Sequence, residues 1–289
     1  MNLEHVVNRR FEDIEQSYDA RDAALYALAL GMGQDPTDED ELLYVFEGRE
    51  QRAVPSMSVT LGWPPFWHAD PATGIDWPRI LHGEHGFALH RPLAPQGSIR
   101  AERVLHSIED KGRDRGALIT FDSTLFSADD GERIASLRSV EFLRGDGGCG
   151  EYGSAAPTLP PLSPAGAPTA TIDYSTSPSA ALLYRLASRD MMPIHADPEL
   201  ARKAGFERPI SHGLNNLGLA CRAILKHFAP RRPERMRSLA ARFTAPTFPG
   251  ETIRVEMFAE ADTIRFRAWA RERNVLALDR GICRLAADD

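Results

Sequence analysis

Two long stretches of the chain alternate apolar and polar residues with a period of two. In the first, residues 79–144, the segments RILHGEHGFALHR, SIRAERVLHSIED, GALITFDSTLFS and RIASLRSVEFLR read as strands. Asp110-Lys111-Gly112 and Asp129-Asp130-Gly131 supply turn chemistry between them. The second stretch closes the chain with SLAARFTAP, ETIRVEMFAE, TIRFRAWARE and VLALDRGICRL. Here Ile253, Val255 and Met257 share one strand face, and Arg254 and Glu256 the other. Each stretch predicts an antiparallel sheet with one buried face.

Helical spacing appears before and between these stretches. DARDAALYALALG, 19–31, has Asp19 as a cap and Gly31 as a stop. SPSAALLYRLASR predicts a helix with Ser177 as cap and Pro178 at its first position. Gly213–Phe228 places Leu214, Leu217, Ala220, Cys221, Ile224 and Leu225 at helical intervals, which suits a long helix wrapped by a sheet. LLYVFEG, 42–48, is expected as a short strand. VPSMSVTLG, 54–62, is expected as a helical turn or two, stopped by Pro64-Pro65. Residues 145–170 are rich in proline, glycine and alanine and predict a semi-extended linker.

The order of elements repeats, so the chain reads as one unit duplicated. Ala24–Ala29 matches Leu182–Ala187, and Pro92–Glu102 matches Pro246–Glu256 with one residue of offset. The expected organisation is a degenerate first unit at 1–150, a linker at 151–170 and a second unit at 171–289. Where the second unit has Asp190 the first has Met32, and Pro64-Pro65 cuts short the first unit's long helix. The missing helix is expected to leave a groove at the junction, a common place for a ligand.

Composition narrows the partners. Of 289 residues, 43% are hydrophobic, enough for a proper core. The net charge of −7 argues against nucleic acid, which wants a basic surface. No apolar run has the length of a membrane span. The N-terminus has no apolar leader, the C-terminus no address tripeptide, and three widely spaced cysteines fit free thiols in a reducing compartment. A cytoplasmic protein is expected.

The chemistry concentrates in RDMMPIHADPELARKAGFERPISHGL, 189–214. Asp190 and His195 flank Pro193, which forces a turn rather than successive helical turns. Such a turn aims an acid and an imidazole at one small volume, as acid–base work on one water requires. Asp197-Pro198 reads as a helix cap and first residue, and Gly205 as the stop. His212 reads as a structural residue at the start of the long helix. There the first N–H groups have no intrahelical partner and carry the positive end of the dipole. His82, Glu84 and His85 invite a metal reading, but on a regular strand His82 and His85 face opposite sides.

These motifs resemble the MaoC-like, type-2 (R)-specific enoyl-CoA hydratases, including the hydratase part of peroxisomal multifunctional enzymes. The likeness rests on Tyr184–Pro198, Ala204-Gly205-Phe206 and Pro209–Leu214. It extends to Leu81–Glu84, Asp110-Lys111-Gly112, Phe142–Gly145, Ala241-Arg242-Phe243 and Pro249–Thr252. It implies an α+β double hotdog, two antiparallel sheets wrapped around helices, with one active site per chain in the second half. It also implies a homodimer, an acyl-CoA substrate, and no metal or redox cofactor. By the same resemblance Asp190 and His195 are the catalytic pair, and Gly213 offers its backbone N–H to the thioester oxygen. His82, Gly83, Lys111 and Phe243 match acyl-CoA contacts. Met191, Met192, Pro193 and Ile194 are expected to line the substrate, Met192 standing where the family has asparagine. The implied reaction is reversible hydration of a trans-2-enoyl-CoA to a (3R)-3-hydroxyacyl-CoA. Two other readings stand beside it: a lyase for branched, dicarboxylic or steroid side-chain acyl-CoA, and a non-catalytic acyl-CoA-binding subunit.

Overall fold

The computed structural model describes residues 1–163 and 166–287. Residues 164 and 165, inside the expected linker, and 288 and 289 lie outside the described residues. The strands are β1 (Ile14–Tyr18), β2 (Ile80–Leu89), β3 (Gly97–Asp110), β4 (Ala117–Ser127), β5 (Arg133–Leu143), β6 (Ala170–Ser175), β7 (Met236–Phe243), β8 (Thr252–Glu260), β9 (Thr263–Ala270) and β10 (Val275–Leu285). They form one sheet in the order β1-β3-β4-β5-β2-β7-β10-β9-β8-β6. Read inward from either edge, the sequence of strands is the same, first-third-fourth-fifth-second of each half. The duplicated pattern of the sequence is thus a duplicated topology, and the two halves meet where β2 pairs with β7. A Cβ on Gly86 would stand 2.6 Å from the Ala240 side chain, so glycine lets the two strands close at the seam. Across it Arg242 Nε donates to Glu84 at 2.6 Å.

The helices are α1 (Leu3–Val7), α2 (Ala20–Ala29), α3 (Glu39–Val45), α4 (Ala180–Ser188), α5 (Pro198–Lys203) and α6 (Gly213–Phe228). α6 is the core helix of the second half, and all six of its expected apolar positions are buried. The inward face of β8 is Ile253, Val255 and Met257, as the alternation predicts. In the first half the corresponding place is taken by the 3-10 turn Pro55–Thr60, whose six residues are all buried. Much of the expected groove is therefore filled. A cavity of about 10 Å³ remains among Leu61, Trp63, His85, Arg103, Leu137 and Ser139. The matched helices α2 and α4 pack together through Tyr26 and Tyr184, ring centroids 5.9 Å apart. This is the double hotdog: two five-stranded antiparallel halves joined into one sheet, one half packed on a full helix and the other on a remnant.

Two local expectations are corrected. Residues 42–48 are not a strand: Glu39–Val45 is helical, because the Asp38 side chain accepts from the backbone N–H groups of Asp40 and Glu41 and caps it. α4 begins at Ala180, not at Pro178, and the preceding Ser179 makes no side-chain cap; the Ser177 hydroxyl accepts from Ser179 N–H in a turn just before the helix. The edge strands β1 and β6 have no counterpart in the sequence expectations.

Candidate active site

α4 ends at Ser188, and Arg189 then takes a left-handed conformation with φ 61°. The reversal swings Asp190 off the helix. Its N–H donates to Ser188 Oγ (3.2 Å), and its Oδ1 accepts from Met192 N–H (3.1 Å). Pro193 opens a 3-10 turn that ends at His195. Asp190 and His195 therefore leave one tight turn. Asp197 caps α5 through Glu199 N–H and Leu200 N–H, and Gly205 takes φ 91° just beyond its end. The chain then returns past His195 at Ile210.

That return sets the chemistry of His195. Its Nδ1 lies 2.9 Å from the Ile210 carbonyl oxygen. A carbonyl only accepts, so the proton sits on Nδ1 and Nε2 is the basic nitrogen. Burial pushes the imidazole below its ordinary pKa, with the charge of Asp190 opposing. His212, the residue before α6, stacks on His195 with ring centroids 3.7 Å apart. Its Nε2 is 4.0 Å from Asp190 Oδ2. Burial first, then His195, takes His212 down to about 3, so this ring is neutral. One polar atom from each of Asp190, His195 and His212 lies within 4.8 Å of the others. These three have the chemistry of metal ligands and equally that of an acid and two imidazoles gathered around one water.

The acid limb of kcat/KM should accordingly fall below pH 6.5, the ordinary histidine value. A lowered pKa keeps His195 neutral and basic at pH 6.5 and above, so activity is lost only on further acidification. A pH–rate profile with its acid limb at or above 6.5 would contradict this.

Gly213 is the first residue of α6, so its N–H has no intrahelical acceptor and lies at the positive end of the dipole. A Cβ there would stand 3.1 Å from the Phe243 ring, tighter than ordinary contact. Phe243 lies on β7 at the seam, and its ring centroid is 4.9 Å from that of His82 on β2. The site is thus built from both halves. Gly213→Ala should push Phe243 aside and lower kcat by up to about 100-fold, with the thermal transition little changed. Steady-state kinetics beside a melting curve test this.

His82 and His85 do not face opposite sides. A bulge between His82 and Glu84 removes one step of alternation, and His85 Nδ1 lies 2.9 Å from His82 Nε2. Gly83 sits in that bulge, where a Cβ would be 3.1 Å from the Val140 carbonyl oxygen. A glycine inside a strand pattern is the sequence sign of such a bulge. The metal reading fails on the same geometry, since the two imidazoles bond each other and Glu84 bonds Arg242. Burial takes His82 down to about 4 and His85 well below its ordinary value. Of the expected substrate contacts, Met192, Pro193 and Ile194 are half-buried beside Asp190, whereas Met191 is 53% exposed. Lys111 stands apart, in the β3–β4 turn three strands from β2, paired with Glu109 at 2.8 Å.

Beneath His82 lies a buried network that the sequence analysis missed. Arg103 Nη2 donates to Glu141 (3.3 Å) and Ser139 (3.4 Å), and His68 Nε2 lies 2.7 Å from Glu141. Burial works to raise the Glu141 carboxyl, but His68 and Arg103 beside it bring it down to about 2. Residues from β3, β5 and a distant loop meet here, and no local pattern announces it.

Comparison with known proteins agrees with this architecture. The family model for the MFE-2 hydratase 2 N-terminal domain matches residues 16–145, and that for the MaoC like domain matches 162–279. The chain is 33% identical to the peroxisomal enoyl-CoA hydratase 2 of Arabidopsis thaliana, over 96% of this chain and 93% of that protein. It is 32% identical to a probable enoyl-CoA hydratase 2 of Dictyostelium discoideum, over 98% and 96%. The crystal structure of a MaoC-like dehydratase from Phytophthora capsici superposes with a TM-score of 0.85 at 31% identity, covering both chains fully.

Proposed function

The chain belongs to the MaoC-like enoyl-CoA hydratase 2 family, and from that premise we propose that Asp190, His195 and Gly213 add water to a trans-2-enoyl-CoA. His195 Nε2 takes a proton from water, which Asp190 orients. The oxygen bonds to C3, and the C2=C3 electron pair moves onto the thioester oxygen as an enolate. Gly213 N–H stabilises that oxygen. The enolate collapses, C2 takes the proton back from the imidazolium, and a 3-hydroxyacyl-CoA results, in the (3R) configuration of the type-2 enzymes. The observation that carries this reading is the His195 Nδ1–Ile210 carbonyl bond, which leaves Nε2 basic next to a carboxylate and an unused helix-start N–H. Acid–base catalysis of this kind is worth roughly 10²–10⁴-fold, and an oxyanion donor about 10²–10³-fold. The steps use protons alone, with no cofactor beyond the CoA thioester itself.

His82 and Phe243 are proposed to hold the acyl thioester, together with Gly83, Met192, Pro193 and Ile194. Lys111 and Met191 are proposed to meet the outer, nucleotide part of CoA, which their distance and exposure fit. The family resemblance supports a homodimer. Cysteines that are all free support a cytoplasmic setting, although the Arabidopsis relative is named peroxisomal. Among the described residues no helix is long and apolar enough to cross a membrane.

Hydration is tested by loss of enoyl-thioester absorbance and chiral analysis of the product. A (3R)-hydroxyacyl-CoA is expected. CoA-ester binding without turnover of straight or branched enoyl-CoAs would overturn the reading. Met192 favours a more apolar, branched acyl chain, because a half-buried thioether stands where the family has an amide. Met192→Asn should raise kcat/KM on straight-chain relative to branched enoyl-CoA by about 10-fold, in line with the modest discrimination of apolar pockets. An unchanged ratio would remove Met192 from substrate selection.

A further inference from the structure

We propose that His82 presents an Nδ1–H donor to the substrate's thioester oxygen, and that His85 and Arg103 are positioning residues that fix this tautomer. The inference rests on the hydratase reading of the Asp190–His195 site. It begins with the bulge at Gly83, which turns His82 and His85 to one side and sets His85 Nδ1 against His82 Nε2 at 2.9 Å. Of two neutral imidazole nitrogens in such a bond, one donates and the other accepts. Burial keeps both rings neutral.

The far side of His85 decides which. His85 Nε2 and Arg103 Nε are both buried, and neither has a hydrogen-bond partner among the described residues. Both residues line the cavity of about 10 Å³, room for about one water. Arginine only donates. Its N–H and positive charge favour a bare lone pair on His85 Nε2, met directly or through one water. Glu141, which faces His82 across the β2–β5 ladder, holds Arg103 in place from the other side. The His85 proton then sits on Nδ1 and is donated to His82 Nε2. His82 keeps its own proton on Nδ1, the nitrogen not used against His85. The His82 ring lies against Phe243, which in turn lies against Gly213. The enolate oxygen would therefore receive one donor from each half of the molecule, Gly213 N–H and His82 Nδ1–H. Two donors fixed before the reaction cost no reorganisation as the charge develops.

The test is nitrogen NMR on the full-length protein carrying ¹⁵N-histidine, with His82 assigned by the signal lost in His82→Phe. The proton is expected on His82 Nδ1 with Nε2 bare. A proton on Nε2 would overturn the proposal, and this reading stands apart from turnover, so failure of the hydratase assignment would be seen separately. Infrared spectra of bound butyryl-CoA, which cannot be hydrated, supply the second measurement. The thioester carbonyl band should lie lower in the wild type than in His82→Phe and His85→Phe. His85→Gln, whose amide can donate in place of Nδ1–H, should restore it. A band unchanged in His85→Phe would overturn the positioning role. In kinetics, kcat should fall about 10²-fold in His82→Phe, as for loss of one oxyanion donor. A fall in His82→Phe confined to a higher KM would leave His82 a binding group only and overturn the donor assignment.

Discussion

Replacing His195 by alanine should lower kcat by about 10²–10⁴-fold, while the affinity for a saturated acyl-CoA stays within a few-fold of the wild type. The imidazole is held by its bond to the Ile210 carbonyl, by the stack on His212 and by the turn at Pro193. Alanine removes the ring and leaves the backbone of the Pro193 turn and the Ile210 carbonyl in place, so the fold should survive. Calorimetry with the saturated ester separates lost chemistry from lost binding. A variant that turns over near the wild-type rate would place the base elsewhere.

The second large effect concerns stability. Arg222, in the middle of α6, is 5% exposed, and Glu41 on α3 is also 5% exposed. Arg222 Nε and Nη2 bond the two Glu41 oxygens at 2.7 and 2.8 Å, and Nη1 donates to the Leu30 carbonyl at 2.9 Å. The pair ties the first half's helices to the core helix of the second. Glu41→Ala leaves a buried guanidinium without its counter-charge, and should cost about 3–5 kcal/mol. Replacing both partners together, Glu41→Leu with Arg222→Met, should recover most of that loss, because no charge is then left stranded. Chemical denaturation of the three proteins checks this. A single variant within 1 kcal/mol of the wild type would show that water reaches the site.

The same pair shows where sequence reasoning stops. Leu42-Leu43-Tyr44-Val45-Phe46 is a short apolar run, and periodicity alone does not separate a buried strand from a buried helix at that length. What decides for the helix is the Asp38 cap and the distant Arg222 waiting for Glu41. The eight central strands were legible because their alternation is imposed by one buried face. The edge strands β1 and β6 are only five and six residues long, with little buried surface to write a pattern. The meeting of Asp190, His195 and the start of α6 was legible because one proline-broken turn and one helix start bring them together. The Arg103–Glu141–His68 network was not, since its members lie far apart in the chain and meet only across strands. His85 was misplaced by a single residue of bulge, which reverses the side on which every following side chain falls.

The central claim is that Asp190 and His195 act as one unit on one water. It is tested most directly by kcat for Asp190→Asn, His195→Gln and the double variant. Groups that serve a single proton-transfer step are strongly non-additive. The double variant should therefore be about as slow as the slower single variant. Losses that multiply, or a single variant that retains the wild-type rate, would contradict the claim.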